Sequence, residues 1–109
     1  MNPLLRALLL CATLSVHPAV QAIGGDPGAG KAKAHACAVC HGTMGISINP
    51  GAPHLAGQPA VYLLEQLHDF KSGKRQNPVM SVIAKPLSEK DMQDLAAWYA
   101  SIEIQLKPQ

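Results

Sequence analysis

The sequence predicts an all-α domain behind a short removable leader, and three observations carry that prediction. Apolar residues recur at helical spacing in two stretches, one after residue 58 and one after Ser88. Helix-start signals precede three stretches of the chain. No alternating run and no Asn-Gly or Asp-Gly turn predicts a strand or a hairpin. With 109 residues, the chain has room for one domain.

Residues 1–22 have the pattern of a secretory signal peptide. Arg6 supplies the basic start, residues 7–16 are almost wholly apolar, and Val20-Gln21-Ala22 is a small-residue cleavage site. The apolar run is shorter than the roughly 20 residues that span a bilayer. We therefore expect cleavage after Ala22, which leaves a periplasmic domain of residues 23–109 with no stable membrane insertion. A retained anchor is the alternative.

The cysteines and the charge limit the classes of function. Cys11 lies in the apolar core of the leader and leaves with it, unless it is the acylated residue of a lipoprotein. The sequence has nine Lys and Arg against seven Asp and Glu in total. Arg6 is lost with the leader, so the net charge of the mature chain is close to zero. Nucleic-acid binding requires a strongly basic face and is excluded. A domain this small usually needs a staple or a rigid insert.

The first helix is predicted to begin at Asp26-Pro27, an N-cap followed by proline at the first helical position. It is expected to continue through residues 29–39 and to carry Cys37. Gly30 is its only breaker and indicates a close approach to another backbone. The loop over residues 42–57 is rich in Gly, Pro, Asn and Ser. A loop this long in a compact domain is expected to wrap a ligand.

The second helix is predicted from Gln58-Pro59 to about Ser72, with Gly73 ending it. Its expected apolar stripe has members three residues apart: Val61, Leu64, Leu67 and Phe70. A short apolar segment over residues 79–84 follows and is stopped by Pro86.

The last helix has the clearest start. Ser88 and Asp91 have the spacing of a capping box. An apolar repeat then continues along one face, through Met92, Leu95, Ala96, Tyr99 and Ile102. We expect this helix to fray before Pro108.

The chemistry is concentrated in Cys37-Ala38-Val39-Cys40-His41, the C-x-x-C-H pattern of covalent haem attachment. On a helical turn, residues three and four apart share a face, so both thiols and the imidazole point the same way. The thiols can then add across the two vinyl groups of one haem while His41 reaches the iron. Export agrees with this prediction, because bacteria make this attachment outside the cytoplasm.

Three other functions compete for the same motif. A structural zinc site requires four ligands, and His35, His54 and His68 form no second pair. A thioredoxin-like C-x-x-C follows a strand, and none is predicted before Cys37. A simple disulfide between the two cysteines would not explain why a histidine, His41, directly follows the second one.

From Gly25 to Ser101 the sequence resembles the class I cytochromes c of bacteria. It is most similar to their small single-haem periplasmic carriers and to each half of the two-haem relatives. The similar segments are Cys37-Ala38-Val39-Cys40-His41-Gly42, Pro53-His54-Leu55-Ala56-Gly57-Gln58, Asp69-Phe70-Lys71-Ser72-Gly73-Lys74-Arg75, Pro78-Val79-Met80, and Leu87-Ser88 through Asp94-Leu95-Ala96-Ala97-Trp98-Tyr99.

The resemblance implies that Met80 is the sixth iron ligand, on the haem face opposite His41. The other methionines fit this role less well. Met44 follows His41 too closely to pass round the haem edge, and Met92 lies on the apolar stripe of the last helix. Bis-histidine ligation is the alternative, through one of two other histidines, His54 or His68.

The resemblance also implies two supporting contacts. The carbonyl of Pro53 is expected to accept the Nδ1 proton of His41, which would fix the orientation of the ring. Gly30 is expected to let the first and last helices cross against Trp98 or Tyr99. Four basic residues either orient a redox partner or form an ordinary solvated helix end: Lys71, Lys74, Arg75 and Lys85.

Together these features predict a class I cytochrome c fold, with about four short helices wrapped round one covalently attached haem c and its iron. The expected function is one-electron transfer between redox proteins, and the chain offers no catalytic triad or paired carboxylates of an enzyme. One alternative is a haem-bearing electron-transfer subunit of a periplasmic oxidoreductase complex. The other is a non-haem thiol or metal module.

Overall fold

The computed structural model describes residues 23–109, and the predicted signal peptide lies outside them. Five helices follow one another: α1 (Pro27–Lys33), α2 (His35–His41), α3 (Ala60–Ser72), α4 (Met80–Ala84) and α5 (Glu89–Ala100). Between Ile23 and Gln109 there is no strand, as the sequence predicts. None of the helices in this range is long and apolar enough to cross a membrane.

The predicted first helix is divided in two at Ala34. Asp26 caps α1 as expected, because its side chain accepts the backbone N–H of Ala29 at 2.7 Å. At Ala34 the backbone has φ −75° and ψ 2°, outside the helical range, and its N–H turns back to the carbonyl of Lys31. The chain then starts α2 immediately at His35. The break raises the number of helices from about four to five and places Cys37 on a separate short helix, α2.

Helix α1 crosses α5 at Gly30, which is buried. A Cβ atom at Gly30 would lie 1.9 Å from the carbonyl oxygen of Asp94 and 2.7 Å from the Cβ of Trp98. Only a glycine permits this backbone approach. The expected crossing of the first and last helices against Trp98 is therefore present.

Asp94 lies fully buried at this crossing, on α5. Its carboxylate accepts the backbone N–H of Asp26 at 2.8 Å and the ammonium of Lys33 at 2.7 Å, with Lys90 at 3.1 Å. The Asp26 amide and these ammonium groups hold the pKa of Asp94 well below its usual range. The buried charge is therefore fully paired, and it joins α5 to the start of α1.

The capping box predicted at the start of α5 is present, with reciprocal bonds between Ser88 and Asp91. The predicted apolar face of α5 is also present. Ile102 packs against the core although it lies beyond the end of the helix. The buried hydrophobic residues of this face are Met92, Leu95, Ala96 and Tyr99.

The apolar stripe predicted for α3 is wrong at Val61. Val61 is 64% exposed, and Leu63 is buried in its place. Strict three-residue spacing drifts away from the 3.6-residue turn, so the inward face begins at Leu63 rather than at Val61. Leu63 and Phe70 are buried, and Leu64 and Leu67 are partly buried against the core, as the predicted stripe requires of the last three members. The predicted end of this helix is confirmed, since Gly73 takes the left-handed conformation that terminates it.

Candidate haem-attachment site

Helix α2 brings the two thiols and the imidazole of the C-x-x-C-H motif onto one turn. Cys37 and Cys40 are half-buried and are not joined in a disulfide. His41, the last residue of the helix, is only 6% exposed. Two thiols and one imidazole thus share the end of a short helix, with spacing that places them on the same face.

The orientation of the His41 ring is set by a backbone group. Nδ1 of His41 lies 2.8 Å from the carbonyl oxygen of Pro53, the contact that the resemblance implies. A carbonyl only accepts hydrogen bonds, so Nδ1 carries the proton and donates it. The lone pair of the ring is then on Nε2, which is the form of histidine that binds a metal.

The loop from Gly42 to Pro59 holds Pro53 in this position through its own hydrogen bonds. The carbonyl of Gly45 accepts the amides of Leu55 and Ala56, at 2.8 and 3.1 Å. The amide of Gly57 donates to the carbonyl of Tyr99 on α5 at 2.9 Å. The predicted long loop is therefore held by internal hydrogen bonds and is joined to α5 by one further hydrogen bond.

Ser47 joins the same loop to the end of α2. Its hydroxyl donates to the carbonyl of Cys40 at 2.8 Å. Its amide donates to Nδ1 of His54 at 2.8 Å. His54 is thereby used within the loop through one ring nitrogen.

The Cys37 thiol packs against the core cluster to which Tyr99 belongs. Burial raises the pKa of the Cys37 thiol, although the neighbouring Tyr99 hydroxyl opposes that rise. Burial also raises the pKa of Tyr99. The Tyr99 hydroxyl is buried without a hydrogen-bond partner of good geometry. Cys37 therefore lies against apolar side chains, with the Tyr99 hydroxyl as the polar neighbour of its sulfur.

Met80 opens α4 and is half-buried. The other two methionines in the described part of the chain have different settings. Met44 is 51% exposed on the loop, and Met92 is 2% exposed within the core face of α5. The expectation that Met92 packs in the core is confirmed.

His68 lies on the surface between α3 and α5. Its Nε2 is 2.6 Å from a carboxylate oxygen of Glu89, and the side chain is 43% exposed. That contact uses the nitrogen that a metal would most readily take. Together with the use of His54 inside the loop, it weakens the case for bis-histidine ligation.

Three of the four basic residues at the end of α3 and beyond it have partners within the chain. Lys74 pairs with Asp69 at 3.3 Å, and the Arg75 guanidinium bonds Gln66 and lies over the Phe70 ring. Lys71 donates to the backbone carbonyls of Lys85 and Leu87. These contacts favour a structural role for this group over a free docking surface. Nothing in the sequence signals the role of Lys71, because its acceptors lie 14 and 16 residues away.

A metal site made only of protein ligands has no support in residues 23–109. No group of three or more His, Cys, Asp or Glu side chains in that range could hold an ion. The zinc alternative needs four such ligands.

An all-α fold with a C-x-x-C-H turn and an oriented histidine defines a domain for covalent haem attachment. Residues 26–103 match the family described as cytochrome c. Cytochrome c4 of Pseudomonas aeruginosa is 48% identical over 101 residues, which are 93% of this chain and 49% of that protein. This chain belongs to the cytochrome c family.

A solved structure and a further sequence relative agree with this assignment. The crystal structure of reduced recombinant cytochrome c4 from Pseudomonas stutzeri matches with a TM-score of 0.69 at 40% identity, over 72% of this chain and 46% of that one. A thiosulfate dehydrogenase electron acceptor of Thiomonas intermedia is 45% identical over 78 residues, 70% of this chain and 36% of that protein. The chain spans about half the length of the cytochromes c4 that it matches. The predicted class I cytochrome c fold is confirmed.

Haem c, with its iron, is the cofactor of this family, and the residues present fit it. His41 offers Nε2, and both cysteines are free to bond. Within residues 23–109 the core also has little side-chain volume, because four of the nine buried hydrophobic residues there are alanines: Ala34, Ala56, Ala84 and Ala96. A domain with so little apolar side-chain volume fits the expectation of a large apolar insert.

Proposed function

We propose that this chain is a one-electron carrier of the periplasm. Haem c is attached through Cys37 and Cys40, and His41 and Met80 are the axial ligands. The observation that carries the proposal is the bond from His41 Nδ1 to the Pro53 carbonyl, beside two unpaired cysteines on the same turn. Bound haem c supplies an iron that gains and loses one electron.

The residues of this chain set how that chemistry is used. The Pro53 carbonyl keeps the proton on Nδ1 and makes His41 a stronger ligand. The thioether of Met80 favours a higher potential than a second histidine would. If His41 and Met80 both bound the iron, they would leave it no position for a substrate, which fits electron transfer rather than enzymatic catalysis.

The ligand assignment is tested with the oxidised holoprotein. Met80→Ala is expected to abolish the weak near-infrared sulfur-to-iron band and to lower the reduction potential. Met44→Ala is the matched control, because it removes a thioether from an exposed loop site, and it should leave both measurements unchanged. Persistence of the band in Met80→Ala would overturn the assignment.

We also propose that the chain is exported and loses residues 1–22. The support is the basic start, the apolar run and the small-residue site that ends at Ala22. N-terminal sequencing of the holoprotein from a periplasmic extract should give Ile23 as the first residue. A retained Met1 would contradict cleavage.

A second candidate is the electron acceptor of a specific oxidoreductase, either as a free partner or as a subunit. The observation that favours it is the similarity to a protein named as a thiosulfate dehydrogenase electron acceptor. Gel filtration of a native extract, followed at the haem absorbance, separates the two arrangements. A stable heteromer indicates a subunit, and elution at the size of one domain indicates a free shuttle.

A further inference from the structure

The polypeptide itself buries only part of the segment that presents Met80. Val79 is 57% exposed and Val82 is 69% exposed, and Ala84 is the one buried residue of α4. An open depression of about 510 Å³ borders Asn77, Pro78 and three further residues, Gly73, Gln76 and Ser81. A polar interaction within the polypeptide also holds the backbone at Met80.

The side chain of Asn77 supplies that interaction. Its Oδ1 accepts the backbone amides of both Val79 and Met80, each at 2.9 Å. The first amides of a helix have no partner inside the helix, so an acceptor placed before the first turn satisfies them. One oxygen thus holds the backbone of Met80 directly.

The backbone of Asn77 is tied to the same turn. Its amide donates to the hydroxyl of Ser81 at 3.1 Å, and its carbonyl accepts the amide of Ser81 at 3.0 Å. Pro78 has no N–H, and its ring restricts the backbone between Asn77 and Val79. The turn that leads into Met80 is consequently closed by four hydrogen bonds to Asn77.

The other end of α4 is fastened by α3. The Lys71 ammonium donates to the carbonyl of Lys85 at 3.0 Å and to that of Leu87. Asn77 and Lys71 therefore hold the two ends of a five-residue helix whose middle is exposed. Of the two, Asn77 is the one that contacts Met80.

We propose that Asn77 is the positioning residue of the sixth ligand: its carboxamide oxygen holds the Met80 backbone and so limits displacement of the thioether by external ligands. This inference rests on the proposed ligation by Met80. Loss of a capping oxygen costs a helix start about 1 kcal/mol, which corresponds to a change of roughly five- to tenfold in the equilibrium between the held and released turn.

The test is an imidazole titration of the oxidised holoprotein, followed in the visible spectrum and at the near-infrared sulfur-to-iron band. Asn77→Ala is expected to bind imidazole roughly five- to tenfold more tightly than the unmodified protein. Asn77→Asp keeps an oxygen at the same position and should restore an affinity close to that of the unmodified protein. The near-infrared band of Asn77→Ala should be present before imidazole is added and should disappear at lower imidazole concentration.

Asn49→Ala is the matched control. The Oδ1 of Asn49 accepts the amide of Gly51 at 2.9 Å, so this variant removes the same kind of local bond from another exposed loop. Its imidazole affinity should not change. A denaturant titration of both alanine variants separates a local effect from general loss of stability.

Three results would overturn the inference. Unchanged imidazole affinity in Asn77→Ala, with strongly raised affinity in Met80→Ala, removes the role of Asn77 while ligation by Met80 stands. Equal gains in Asn77→Ala and Asn49→Ala show a general effect. A Met80→Ala protein that keeps the band refutes the ligand assignment, and the role of Asn77 falls with it.

Discussion

The two candidate axial ligands are held in opposite ways. His41 is 6% exposed, its ring is oriented by Pro53, and the loop that carries Pro53 is bonded to α5. Met80 is half-buried at the start of a short helix. The backbone there is held by hydrogen bonds to Asn77, three residues earlier in the chain. The His41 side depends on the whole fold, whereas the Met80 side depends on one local turn.

The difference indicates which of the two ligand-bearing regions opens first when the fold is destabilised. Local opening occurs where apolar burial is small and backbone groups face solvent. On the Met80 side the first of these conditions is met within the polypeptide, because Val79 and Val82 are exposed. On the His41 side it is not, because α2 follows directly from α1, which crosses α5 at Gly30. Variants in the two regions should therefore differ sharply in their effect on stability.

The largest effect is expected for Gly30→Ala, at the crossing that supports the His41 side. The added methyl group would meet the Asp94 carbonyl oxygen at 1.9 Å, and backbone atoms cannot move aside cheaply. We expect a loss of about 3 kcal/mol in the free energy of unfolding, measured by denaturant titration of the holoprotein. Gly28→Ala, on the exposed side of α1, should change stability by less than about 1 kcal/mol. Equal losses in both variants would break the comparison.

A smaller contrast is expected between Leu63→Ala on α3 and Val82→Ala on α4. Leu63 is 7% exposed and belongs to the core cluster, so its truncation should cost about 2–3 kcal/mol. Val82 is 69% exposed in the polypeptide, so its truncation should lower the free energy of unfolding by at most about 0.5 kcal/mol. Chemical denaturation of the two holoproteins measures both values. A cost for Val82→Ala similar to that for Leu63→Ala would show that α4 is held by apolar contacts, either to the polypeptide or to the haem.

The smallest effect concerns acid stability at the α1–α5 crossing. Lys33 lies 2.8 Å from Asp91 and, with Ser88, lowers the pKa of Asp91 from 3.8 to about 2. The folded state therefore binds fewer protons than the unfolded state between these values. The stabilisation from this carboxylate is complete above about pH 4 and is lost as the pH falls towards about 2.

Asp91→Asn should consequently lower the stability at neutral pH and flatten the fall in stability between about pH 4 and pH 2. Urea titrations at a series of pH values give this curve. Glu103→Gln, in the exposed tail, is the control and should keep the slope of the unmodified protein. A slope that Asp91→Asn does not change would show that other carboxylates, such as Asp94, carry all of the acid sensitivity.

Local features were predictable, and features made by contacts between distant segments were not. The Asp26 cap, the capping box at Ser88 and the end of α3 at Gly73 follow from residues within one turn of each other. The exposed position of Val61 was missed, because the buried face of α3 is chosen by α5 and α4, which pack against it. The buried charge of Asp94 was also missed, since Lys33 lies 61 residues away in the sequence.

By itself, the sequence determined the helical class and the shared face of Cys37, Cys40 and His41, because both depend on spacings of three and four residues. The tertiary structure decided where the first long helix breaks and that Asn77 and Lys71 hold α4, whereas the contact of Pro53 with His41 was expected only from the family resemblance. Pro53 meets His41, and Lys71 meets the end of α4, only after chain segments 12 or more residues apart have packed together. Hydrogen bonds of that kind depend on the path of the backbone through space, which no local pattern of residues contains.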